Sequence, residues 1–249
     1  IGRPLRHAAQ AGHVDLVVLT PPNADGILDP RQVADALADR PARLVGIVHA
    51  SNVLGSLNRV GQIGRVVRQA GSLFLVDAAQ SIGSADIDVE RDCIDLLAFP
   101  GHKGLQGPPG TGGLWVGPRA AELIEPAVRE GGTGGDSAYP TQPPVWPHWL
   151  EAGTHNTAGI AGLGAALEWI AAQGGPAAIL AHERQLIRPL LEFLACDGRF
   201  ALYGPPPDRL EDRIGLVGFN IVGMAPSEAA GILDADFDIC VRAGLHCAP

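Results

Sequence analysis

Lysine is nearly absent from this sequence. Lys103 is the only one in 249 residues, and every other permanently charged basic side chain is arginine. Arginine supplies positive charge, but its guanidinium stays protonated and cannot act as an amine nucleophile. A single lysine kept beside a histidine in the glycine-rich stretch "AFPGHKGLQGPPGTGG" (Ala98 to Gly113) therefore marks position 103 for amine chemistry. Cysteine is scarce as well. Cys93, Cys196, Cys240 and Cys247 form no C-x-x-C pair and no metal-ligand spacing with histidine, so no metal site is expected and a reducing cytoplasm is the simple reading. No apolar run approaches the length of a membrane span, and the first residues do not read as a signal peptide. The net charge of -9, with no basic stripe, argues against nucleic acid or an anionic membrane as partner. An initiator methionine is also lacking and the pattern starts midway, so the sequence is expected to be a piece of a longer chain.

What is present reads as globular: 46% hydrophobic residues, with 33 glycines and 21 prolines but no repeat. Apolar runs at Val14 to Thr20, Arg43 to Ala50, Ser72 to Gln80, Ile94 to Phe99 and Thr111 to Gly117 are expected to be buried strands. Helical spacing fills Asp29 to Arg40 and Asn58 to Gly71 between them. This alternation implies an α/β layered fold with a largely parallel sheet. Glu130 to Trp149 reads as a long functional or interfacial loop, followed by a helix over Thr157 to Gln173. A second α/β unit follows: a helix over Ala177 to Ala195, strands near Phe200 to Tyr203 and Leu216 to Val222, and a helix near Ser227 to Asp234. A boundary near Glu168 separates a large domain, 1–168, from a smaller and shortened one, 169–249.

Several constellations carry chemistry. The glycines of Gly107 to Gly112 have the spacing of a phosphate-binding P-loop, but Gly113 and Leu114 stand where lysine and Ser/Thr are needed, and a strand follows instead of a helix. That reading fails, leaving a tight turn behind Lys103. "VDAAQ" places Asp77 at the carboxyl end of one strand with Gln80 just after it, and "HK" (His102, Lys103) follows the next strand. Ligands of open α/β sheets bind at these strand ends. A carboxylate facing a Schiff-base lysine is the pair that pyridoxal phosphate needs, because the acid keeps the ring nitrogen protonated. "HASNVLGSLN" ends another strand with His49, Ser51 and Asn52, and "RAGLHCAP" sets Cys247 beside His246 with Arg242 upstream, which favours a thiolate.

With these pieces in order, the sequence resembles the class V aminotransferase group of pyridoxal-phosphate enzymes. The likeness is strongest to cysteine desulfurases and selenocysteine lyases with an R-x-G-x-H-C loop. It rests on "SNVLG", "VDAAQ", "GHKG", "GPPGTGGLWVG", "GGTGGDS", "EAGTHNTAGIAGLGAALE" and "VRAGLHCAP", which cover nearly the whole chain. The resemblance implies fold-type I architecture: a mostly parallel sheet with helices on both faces and a partial smaller α/β domain. It also implies that Lys103 would hold the cofactor as a Schiff base and then move the substrate's α-proton. Asp77 would pair with the ring nitrogen, Gln80 with the ring hydroxyl oxygen, and His102 would sit at the phosphate. Asn52 would lie near the ring and the substrate carboxylate, with Arg242 nearby. Thr154 would reach the phosphate bound by a partner subunit, which implies a homodimer. Cys247 would take the sulfur of L-cysteine as a persulfide, leaving L-alanine, and a sulfur-acceptor protein would follow.

The sequence departs from the family at Pro100, where a hydroxyl residue is usual, and it lacks the family's glycine/threonine phosphate loop and a later substrate-gripping arginine. Open alternatives are a related aminotransferase, epimerase or selenocysteine lyase, or a non-catalytic dimerising paralogue.

Overall fold

The computed structural model describes residues 1–125, 131–132, 140–143 and 145–246. Its elements run α1 (Gly2–Gln10), α2 (Pro30–Asp39), β1 (Leu44–Val48), α3 (Val60–Gln69), β2 (Leu73–Asp77), β3 (Leu96–Pro100), β4 (Gly112–Val116), α4 (Pro118–Ala121), α5 (Thr157–Ala172), α6 (Gly175–Cys196), β5 (Phe200–Tyr203), β6 (Gly218–Ile221) and α7 (Pro226–Phe237). Two 3-10 turns, His148–Leu150 and Pro207–Asp212, complete the list.

Local chemistry accounts for the first helices and strands. Asp29 caps α2, its carboxylate accepting from Arg31 N at 2.9 Å while Gln32 reaches back to the cap, and Pro30 opens the helix where no N–H bond is lost. On α3, Val60, Ile63, Gly64 and Val67 fall on one buried face at helical spacing. Phe74 and Val76 of β2 point to that face, and with Val33, Leu37 and Leu97 they form the main core. Strands β1, β2 and β3 are parallel in that order, and β4 closes the sheet antiparallel to β3. Helices α2 and α3 cover one face. On the other, Ile1 lies over Gly46, while Leu44, Val48 and Leu114 are exposed. The second unit is a β5–β6 antiparallel pair beside α6, with the Phe200 ring 5.5 Å from Phe193 and 6.1 Å from Phe219.

Most expected elements are found within a few residues of their bounds; one is not. Val14 to Thr20 joins no strand: Val14, Val17 and Val18 are exposed, and this segment pairs with neither edge of the sheet. Apolar content without a neighbouring strand to satisfy the backbone does not make a ladder. Glu168, the expected boundary, lies within α5, and the helix breaks at Gln173–Gly174. Residues 130, 133–139 and 144 of the loop 130–149 lie outside the described residues, as does Cys247. No helix among the described residues is long and apolar enough to cross a membrane, and none of their His, Cys, Asp or Glu side chains cluster to hold a metal ion.

Buried polar groups lock this frame. Arg213 is wholly buried, and its guanidinium donates to the carbonyls of Leu54, Tyr203, Pro205 and Leu216. It thereby fastens the loop after β1 to the second unit. His49, at the end of β1, is only 3% exposed and its Nδ1 has no hydrogen-bond partner among the described residues. Burial pushes its pKa from 6.5 down to about 4, against the opposing pull of the Asp92 charge. The unfolded chain takes up this proton near pH 6.5 and the folded one only near pH 4. The stability it contributes is therefore complete above pH 6.5 and lost as pH falls towards 4, a loss of roughly 3 kcal/mol. Urea unfolding at pH 7 and pH 4.5 should show a steeper fall for the parent than for His49→Gln; parallel falls would refute the assignment.

Candidate active site

Parallel strands deliver their carboxyl ends to one edge, and that edge gathers Asn52, Asp77 and Lys103. Val48, Asp77 and Ala98 stand side by side in the register of β1, β2 and β3. Because Phe74 and Val76 fill the core under α3, the alternation of β2 turns Asp77 to the opposite face with Leu73 and Leu75. Its Oδ1 accepts from Ala79 N at 2.9 Å, which fixes the carboxylate over the following turn, where Ile82 N donates to Ala78 O at 2.9 Å. Gln80 rides half-buried on this turn.

The lysine loop is closed on itself. Gly101 N donates to Thr111 O and Gly107 N to Gly101 O, both at 2.8 Å, and Gln106 N donates to Lys103 O at 2.9 Å. Lys103 and His102 are left exposed near the tip. Gly104 and Gly83 bring this loop against the Asp77 turn, for a Cβ on Gly83 would run into the Gly104 carbonyl and one on Gly104 into that of Ile82. Only glycine permits that approach, and Gly83 also has φ +89°. The "GHKG" glycine thus packs the amine's loop onto the carboxylate's turn.

An exposed amine joined in this way to a half-buried carboxylate fits pyridoxal phosphate, in which the amine is held covalently and the acid faces the ring nitrogen. Lys103, Asp77 and Gln80 are the candidates to hold it. Pro100 ends β3 opposite Gly112, two residues before His102, and brings no hydroxyl to that strand end.

A family description, Aminotransferase class-V, matches residues 3–249. The chain belongs to the class V aminotransferase family. A protein of Methanothermobacter thermautotrophicus named "Probable cysteine desulfurase" is 39% identical over 226 residues, 90% of this chain and 54% of its own. A cysteine desulfurase of Escherichia coli O127:H6 is 38% identical over 232 residues, covering 92% and 54%. The apo structure of a cysteine desulfurase from Thermococcus onnurineus NA1 superposes with a TM-score of 0.86 at 32% identity, over 99% of this chain and 60% of that one. This chain therefore spans about half the length of the curated relatives it matches.

Other site expectations of this class V chain divide. Asn52 sits half-buried in the loop after β1, its amide donating to the His246 carbonyl. Thr154 and Arg242 are exposed, and no hydrogen bond joins either to Lys103 or Asp77. Cys247 falls outside the described residues. A pocket lined by His49, Asn58, Gln62, Arg65, Arg91 and Asp92 contains none of Lys103, Asp77, Gln80, Asn52, Thr154 and Arg242. The Asp92 carboxylate already lies against Gly61 in the first turn of α3, so the helix's positive end is met from within the protein.

Two contributors escaped sequence reading. Arg213 braces the Asn52 loop through carbonyls, which every residue has, so no pattern announces it. Gln106 adopts φ +58° where its N–H donates to the Lys103 carbonyl, and the nearby Gly104 and Gly107 were the available signal.

Proposed function

We propose that this chain provides the lysine and cysteine machinery of a pyridoxal-phosphate-dependent cysteine desulfurase, converting L-cysteine to L-alanine. The observation that carries the reading is the sole lysine, exposed on a loop packed against the Asp77 turn. Bound pyridoxal phosphate would supply an electron sink for bond breaking at the substrate's α-carbon. Lys103 would anchor it and, once released, take and return the α-proton at Nζ. Asp77, fixed by Ala79 N, would keep the ring nitrogen protonated, with Gln80 on the ring hydroxyl and His102 at the phosphate. Asn52 and Arg242 would orient the substrate carboxylate. Cys247 Sγ would bond to the substrate sulfur as the carbon–sulfur bond breaks, leaving a persulfide for a sulfur-acceptor protein.

The names and identities of the relatives support the desulfurase assignment over other class V reactions. We place the protein in the cytoplasm, with a large domain over 1–168 and a smaller one over 169–249. A homodimer, in which Thr154 reaches the partner's phosphate, is supported by the apolar side chains that α5 leaves exposed, Ile160, Leu167 and Trp169.

The test is alanine formation from L-cysteine, with Cys247→Ser beside the parent. Turnover should fall at least about 10²-fold while cofactor binding persists, as loss of a covalent nucleophile requires. Equal turnover would show that Cys247 Sγ does not take the sulfur, and a parent that forms no alanine would point to an aminotransferase or epimerase instead.

A further inference from the structure

Among the described residues, few contacts hold the segment that leads to Cys247. After α7, the last backbone hydrogen bond among them is Ile239 N to Leu233 O. From 241 to 246 the side chains bury little: Val241 is 44% exposed and Leu245 75% exposed, and Arg242 also faces solvent. Gly244 and His246 both take left-handed backbone conformations, with φ +97° and +49°. For a histidine that conformation is uncommon and persists where surrounding contacts hold it. Among the described residues, a single hydrogen bond links 241–246 to the rest of the protein: the side-chain amide of Asn52 donates to the His246 carbonyl.

Asn52 stands on firm ground. Ser51 Oγ accepts from Leu54 N at 3.1 Å, Gly55 N donates to Ser51 O at 3.1 Å, and buried Arg213 grips Leu54 O at 2.9 Å. A rigid donor therefore meets a loosely held acceptor, and the acceptor belongs to the residue immediately before Cys247. We propose that Asn52 is the positioning residue for the cysteine-bearing segment, fixing where the chain stands as it enters Cys247. The amide needs one N–H for this, which leaves its second N–H and its oxygen for a ligand. The contact stands on the structure alone; its meaning for sulfur transfer rests on the proposed function.

The experiment needs no cofactor. Trypsin cleavage after Arg242 in the folded chain, followed by mass spectrometry, reads how firmly the segment is held. Asn52→Leu, close in shape but without donors, and Asn52→Ala as a second variant should each speed that cleavage roughly two- to tenfold, the range a lost hydrogen bond gives. Hydrogen exchange should quicken at 241–246 and nowhere else. Unchanged cleavage in both variants, or exchange that quickens equally throughout the chain, would overturn the proposal. The parent's absorption with pyridoxal phosphate reports separately on the functional reading: its failure would leave the Asn52 contact standing, and the proteolysis result would leave the cofactor assignment untouched.

Discussion

Arg213→Ala should destabilise the protein by about 3 kcal/mol or more, lowering its melting temperature by about 10 °C. The side chain is 0% exposed and has no carboxylate partner among the described residues; its charge is met by four backbone carbonyls, at 2.6 Å (Tyr203), 2.9 Å (Leu54 and Pro205) and 3.4 Å (Leu216). Burial draws its pKa down to about 10, so it remains charged at neutral pH. Removing it strands four acceptors that point inward and leaves a hole where the loop after β1, β5 and the segment before β6 converge. Arg213→Lys should recover part of the loss, because an ammonium has donors but not the planar spread to serve four carbonyls. Thermal or urea unfolding measures both variants. A loss below about 1 kcal/mol for Arg213→Ala would show that water replaces the guanidinium and that the knot is not a fastening.

Lys103→Ala should do the reverse: little to stability and nearly everything to chemistry. The side chain is exposed and makes no hydrogen bond among the described residues, so unfolding should shift by no more than about 0.5 kcal/mol. Alanine formation from L-cysteine should fall by at least about 10²–10⁴-fold, the contribution of positioned proton transfer alone. Lys103→Arg is the sharper variant, for it keeps the charge and loses the amine. If position 103 served only as a cation, arginine would restore activity; with amine chemistry required there, it should be as inactive as alanine.

Patterns tied to neighbours along the chain were readable. "DPRQV" announced α2 because its cap, proline and returning glutamine are local, and Val60, Ile63, Gly64 and Val67 announced α3 through their spacing. Lys103 was conspicuous by composition, and Asp77 by its place at a strand end. Whatever depended on distant partners was not readable. Val14 to Thr20 has a strand's composition but no strand beside it. The antiparallel direction of β4 is silent in its residues, since periodicity has no polarity. Helix α1 sets Leu5, Ala8 and Ala9 on one face but fully buries no residue, and its nine residues are too few for that spacing to stand out. The Asn52 bond to His246 spans 194 positions, and no local pattern in either segment foretells it.

The central claim is that Lys103 holds a pyridoxal cofactor beside Asp77. Its most direct test is the absorption spectrum of the purified chain titrated with pyridoxal phosphate, followed by borohydride reduction and peptide mapping. The parent should show a near-visible band, reduction should fix the cofactor to Lys103, and Lys103→Ala should show no band. A parent without the band at saturating cofactor, or the same band in Lys103→Ala, would contradict that claim.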